Sequence, residues 1–232
     1  MPIYENKNIE IQKKKDNFVL VIKDTPNNKE AKHFWKKTCN LIDFNKKDNT
    51  KNIKIIFDAY SIETLPSLLK SKNDKISYRH GELLFLNFLK QIESLEKDGL
   101  GIINLDLNDF IIVNKDEARY ESIIIFINTD KFYPIENGYF FLKKPSDISK
   151  LLSSKFNEPE IKNIKDIPVK LHKKTVYYSF GMLITHCINK ENELKKKEDF
   201  QLSLVSILES KLYYGIMRCI EKIPDDRYYL YI

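Results

Sequence analysis

Four side chains stand where their type could do chemistry. Asp106 and Asp109 lie three apart within residues 101–113, Asp130 follows the apolar run 123–127, and Lys23 ends the apolar run 19–22. A loop carboxylate can take up a proton or hold a cation, and a lysine can neutralise phosphate. By type alone they are equally ordinary loop acids and a solvated strand-end lysine. The first glycine of the chain is Gly81, so no glycine-rich phosphate loop precedes Lys23. His33, His80, His172 and His186 have no histidine four residues on, and read as surface or satisfied core positions. Cys39, Cys187 and Cys219 are far apart and odd in number, which indicates neither a disulfide framework nor a zinc site, and points to a reducing compartment.

The elements that must position these residues are legible from periodicity. Residues 8–23 predict a hairpin, with strands at 9–11 and 18–22. Ala31, Phe34, Trp35, Thr38 and Leu41/Ile42 recur at helical spacing over residues 30–41, after start signals at Asn27-Asn28. A strand at 53–57 leads into a short helix around 63–69, and residues 82–97 form an amphipathic helix ended by Gly99. Strands follow at 111–113 and 123–127, and another at 139–142 after the Asn137-Gly138 turn. From 176 to 188 apolar side chains cover every helical face, so this helix must be buried. Its 13 residues are too few for a bilayer, which needs roughly 20. Residues 190–199 read as a charged loop, and 201–221 as one or two helices.

Length, with 42% apolar and 12% aromatic residues, provides for a real core and excludes a disordered chain. The net charge of +6 rests on dispersed lysines; only Arg79, Arg119, Arg218 and Arg227 are arginines. Nucleic-acid interfaces favour arginine and clustered charge, so a solvated surface is the better reading, with a basic nucleic-acid-binding protein as a third alternative. The N-terminus lacks a signal-peptide pattern, and no apolar run is long enough to span a membrane; a cytoplasmic protein without a membrane partner is expected.

Several stretches in this order resemble a protein kinase. Val19-Leu20-Val21-Ile22-Lys23 is similar to the V-A-I-K strand, and residues 101–113 to the catalytic loop I-I-H-R-D-L-K-P-E-N-I-L-V. Asn128-Thr129-Asp130-Lys131-Phe132 stands where a kinase has Asp-Phe-Gly, and Glu158-Pro159-Glu160 resembles Ala-Pro-Glu. Val176-Tyr177-Tyr178-Ser179-Phe180-Gly181 stands in place of D-x-W-S-x-G, and residues 218–227 resemble R-C-L-x-x-D-P-x-x-R. The resemblance covers about residues 17–232 and is best after residue 80. It is closest to the divergent serine/threonine kinase-like proteins of large nucleocytoplasmic DNA viruses. It implies an α+β, protein kinase-like bilobal fold: a reduced N-lobe of about three strands and one helix over residues 1–60, and a mainly helical C-lobe over 61–232.

The resemblance also implies roles: Lys23 for ATP phosphates, Asp106 as catalytic base, Asp130 for Mg²⁺, and Glu160 with Arg227 as a buried structural ion pair. The asparagine that ligates the second metal falls on Ile111, which has no side-chain oxygen; Asp109 is the substitute if the loop is one residue shorter. The glycine-rich loop is missing, His and Arg of the catalytic loop are Asn104 and Leu105, and Val176 replaces the bracing aspartate. Residues 31–41 offer no glutamate to Lys23, leaving Asp43 as the acid near the expected spacing, and Lys131 would compete with metal for Asp130. Scaffold kept and chemistry eroded is the pattern of a pseudokinase. The expected function is that of a scaffold, decoy or virion component acting through a protein partner in the host cytoplasm, with ATP and Mg²⁺ weak or absent. The alternative is an active, atypical serine/threonine kinase.

Overall fold

The computed structural model of the chain describes residues 2–7, 9–14, 17–23, 29–41, 53–116, 121–152, 155–157, 159–162, 164, 166–189 and 197–228. Alternating apolar residues near the N-terminus build an antiparallel sheet in the order β1 (Pro2–Glu5), β2 (Ile9–Lys14), β3 (Asn17–Ile22) and β4 (Ile53–Asp58). Ile9 pairs with Ile22, Ile11 with Leu20 and Leu20 with Ile55, so one period-2 face is buried throughout. Helix α1 (Lys29–Leu41) turns Ala31, Phe34, Trp35 and Thr38 inward. The region thus has four strands where the periodicity predicts three. The extra one, β1, is a bulged edge strand whose residues are exposed apart from half-buried Tyr4, so it has no buried face to leave an apolar alternation.

After β4 the chain forms β5 (Ser61–Thr64) before α2 (Leu65–Ser71). The expected helix at 63–69 starts later because residues 61–64 pair with a strand distant in sequence, and Thr64 then caps the helix. Helix α3 (Tyr78–Lys97) starts four residues ahead of the periodic stretch, at a Ser77 cap whose hydroxyl accepts the His80 N–H at 3.3 Å. Next come β6 (Leu100–Ile102), β7 (Phe110–Asp116), β8 (Glu121–Phe126), β9 (Phe132–Pro134) and β10 (Tyr139–Leu142). They pair as antiparallel sheets β5-β7-β8 and β6-β9, and β10 pairs with β11 (Val169–His172). Asn137 and Gly138, with φ of 50° and 82°, make the left-handed turn that leads into β10.

Edge strand β8 takes its missing partners from α3. Asn87 Oδ1 accepts the Ile124 N–H at 2.9 Å, Gln91 Oε1 accepts the Phe126 N–H at 2.9 Å, and Gln91 Nε2 donates to the Ile124 carbonyl at 3.0 Å. A buried glutamine inside an apolar helix face is thereby satisfied.

The remaining helices are α4 (Pro145–Leu152), α5 (Pro159–Lys162), α6 (Thr175–Asn189), α7 (Lys197–Ser203) and α8 (Lys211–Cys219). Helix α6 is the buried helix expected at 176–188: Tyr177 and Met182 are 7% and 8% exposed. Its Phe180 packs on Phe85 and Phe88 of α3. Helix α5 and strand β11 precede α6, and part of the expected charged loop at 190–199 belongs to α7; residues 190–196 lie outside the described residues. The fold is mixed α+β. Among the described residues no helix is long and apolar enough to cross a membrane.

Candidate functional site

Lys23 follows β3 directly, and its ammonium lies 2.5 Å from Glu5 Oε1 and 3.0 Å from the Asn6 carbonyl oxygen. The last residue of β1 therefore supplies an acid to Lys23. Asp43, the acid near the expected spacing, lies outside the described residues. Two residues past Glu5, Lys7 Nζ lies 4.0 Å from Asp130 Oδ1; the two side chains are 71% and 51% exposed. So exposed a pair contributes under about 1 kcal/mol. Lys23 and Asp130 nevertheless face the same three-residue stretch, Glu5-Asn6-Lys7.

Asp106 is the cap of a single 3-10 turn, Leu107–Asp109. Its Oδ1 accepts the Asn108 backbone N–H at 2.9 Å and the Asn108 side-chain amide at 2.8 Å, while Asp109 Oδ2 accepts the Asp106 N–H at 2.7 Å. This reciprocal cap holds both acids to the local backbone. Asn104, two residues earlier, adopts φ +63°, a left-handed conformation that asparagine tolerates better than most residues.

Asp109 is the buried member of the group, 1% exposed. Lys131 Nζ lies 2.6 Å from its Oδ2, and Asn128 Nδ2 donates to its Oδ1 at 2.9 Å. Main-chain bonds fasten the two loops further: Ile127 N–H to the Asp109 carbonyl at 2.8 Å and Ile103 N–H to the Lys131 carbonyl at 3.4 Å. Burial pushes the Asp109 carboxyl above its ordinary range, and the Lys131 ammonium, then the Asn128 and Asp106 N–H groups, pull it back.

Tyr4 of β1 packs against the main core, and the negative charge of Asp109 adds to the burial that raises its phenol. The four candidate residues thus belong to one set of neighbouring groups: Lys23 and Asp130 on the β1–β2 turn, Asp130 next to Lys131, Lys131 on Asp109, and Asp109 on Asp106. Every one of them already has a partner within the chain.

The space between the N-terminal sheet and β7–β8 is packed with apolar side chains. Ile11, Leu20, Ile55 and Phe57 face Ile111 and Ile125 with Trp35 among them, around a cavity of about 10 Å³. That is the size of roughly one water molecule by the same measure. Phe132 packs edge-on against Phe34 of α1 and stacks on Phe126 of β8.

The arrangement does not fit a divalent cation at Asp109. Both carboxylate oxygens accept protein N–H donors, and an ammonium is in contact with one of them. Among the described residues no three His, Cys, Asp or Glu side chains form a group that could hold a metal. The expectation that Lys131 competes for Asp130 is corrected: its partner is Asp109. Successive side chains on a 3-10 turn point about 120° apart, so Asp130 and Lys131 on Thr129–Lys131 diverge.

Farther away, Arg227 pairs with Glu160 of α5 through Nη2. Arg227 is fully buried, its Nε donates to the Glu221 carbonyl at 2.7 Å, and its guanidinium lies 5.0 Å from the Tyr178 ring centre on α6. Glu158 of the same motif lies outside the described residues.

Sequence reasoning missed Glu5 and Lys7 because β1 carries no apolar signal. It also missed Asn128, whose only sign is an amide at the end of a strand facing a loop with two acids. Compared with known proteins, the chain matches no protein-family model and no curated protein.

Proposed function

We propose that this chain is a protein kinase-like, bilobal protein with a degenerate nucleotide cleft, akin to the serine/threonine kinase-like proteins of large DNA viruses. On this reading it acts through its surface as a scaffold, decoy or virion component, in the host cytoplasm or the particle. One observation carries the reading: Asp109, the buried candidate metal ligand, is already paired with Lys131 and hydrogen-bonded on both oxygens. Holding a metal at Asp109 would require breaking that pair before any new contact forms, and differential binding must outweigh that cost.

Thermal unfolding with ATP and Mg²⁺ tests the reading. A ligand at 100 times its Kd stabilises by about 2.7 kcal/mol, and no such rise is expected. A saturable rise that Asp130→Ala removes overturns it.

The same set of contacts favours one alternative, an atypical active kinase, because Lys23 and Asp130 meet the same turn. Transfer from labelled ATP to general protein substrates, reduced by Asp106→Asn, is its signature. Equal incorporation by both proteins eliminates it.

A further inference from the structure

We propose that one end of the β10–β11 ribbon is a docking surface for a bilayer carrying anionic phospholipid, attached from one side by lysine charge and two apolar tips.

The alternation of the ribbon creates this surface. Phe140, Leu142 and Leu171 turn inward onto a small core with Leu151 and Ile161, and none of the five is more than 3% exposed. Strand geometry then directs the intervening Phe141 outward, where it keeps 39% exposure. Lys170, its partner across the ribbon, is exposed too. Because Leu142 pairs with Val169, Lys143 and Lys144 leave the ribbon at the end where Ile167 enters it, and these three are also exposed.

Charge says what this end attracts. Residues 139–172 hold seven lysines against four acids, so the stretch contributes half of the net +6 of the whole chain. Among the described residues the acid nearest the cluster in sequence is Asp166, and Glu160 is already paired with Arg227. A polyanionic partner fits such a surface, and two observations favour lipid over nucleic acid. The stretch contains no arginine, the side chain that grips nucleic-acid phosphates with a planar fork. Lys170 Nζ also lies 3.6 Å from the centre of the Tyr139 ring, over a face on which a base would stack. Phe141 and Ile167 suit the boundary between headgroups and acyl chains, while long lysine stems reach the phosphates beside them. Attachment of this kind takes two signals, here charge and apolar insertion, and needs no spanning helix. None of the five residues belongs to the candidate site, so lipid binding and the nucleotide reading stand or fail separately.

The test sediments the full chain with vesicles of phosphatidylcholine, alone or with about a third phosphatidylserine. The wild type is expected to bind the phosphatidylserine vesicles only, and to be released by about 0.5 M NaCl. A lysine near an anionic surface strengthens attachment about fivefold, so Lys143→Gln, Lys144→Gln and Lys170→Gln together should weaken it about 100-fold. A control with the same net charge, Lys54→Gln, Lys70→Gln and Lys97→Gln, should bind like the wild type. Phe141→Ser with Ile167→Ser should weaken binding about tenfold. All substituted side chains are exposed, and an unchanged unfolding midpoint separates lost attachment from lost fold; where the serine variant unfolds, the lysine variant and its control decide. Several results overturn the proposal: no binding by the wild type, equal binding to both lipids, a folded serine variant that binds fully, or a control weakened as much as the ribbon variant. So does a fluorescent single-stranded oligonucleotide that the same three lysines bind more tightly than they bind the vesicles.

Discussion

At the residue scale, Arg227 shows how much one side chain can carry. It is fully buried, donates to two main-chain carbonyls and pairs with Glu160, whose side chain keeps 25% exposure. Removing one partner of a buried pair costs about 3–5 kcal/mol. Because the stranded Glu160 can regain some water, Arg227→Met should fall toward the lower end of that range, measured as lost unfolding free energy in urea. The cysteines make a second residue-scale case. Burial raises the Cys187 thiol and pushes that of Cys219 up to about 12, so neither forms thiolate at neutral pH. In a Cys39→Ser background, Ellman's reagent is expected to find no fast-reacting thiol in native protein and both in denaturant.

At the element scale, the contact between α3 and α8 depends on a missing side chain. A Cβ on Gly215 would come within 2.7 Å of the Phe85 ring, itself stacked on Phe180 of α6. On an exposed helix, alanine in place of glycine gains about 1 kcal/mol. Here the ring cannot retreat without disturbing α6, and overpacking costs about 1–3 kcal/mol. Gly215→Ala should therefore lower the urea midpoint, against the propensity trend. The same logic applies to β8, whose edge is bonded by Asn87 and Gln91: Gln91→Leu leaves a main-chain N–H and a carbonyl unpaired, at about 1–3 kcal/mol for each buried group.

At the scale of the whole molecule, the histidines set the response to mild acid. Burial depresses His80, helped by Lys72, and depresses His172 against the pull of Asp225. The unfolded chain then takes up these protons first, near the ordinary value of about 6.5. Their neutral forms favour the folded state above that pH, and the advantage is lost as pH falls from about 6.5 through the lower folded values. Urea midpoints should drop between pH 7 and pH 5, and the drop should shrink in His80→Gln with His172→Gln.

What the sequence determined by itself was the set of elements with a strong apolar period: α1, α3, α6, β3, β4 and the Asn137-Gly138 turn into β10. It could do so because a side chain's face follows from helical or strand geometry and needs no distant partner. The tertiary structure decided what distance in sequence conceals. Edge strand β1 and the paired strands β5 and β11 exist through their partners, and Lys23 meets Glu5 while Lys131 meets Asp109 only once the loops are assembled. Charge pairing depends on where chain ends and turns come to rest in space, and residue spacing along the chain carries no record of that.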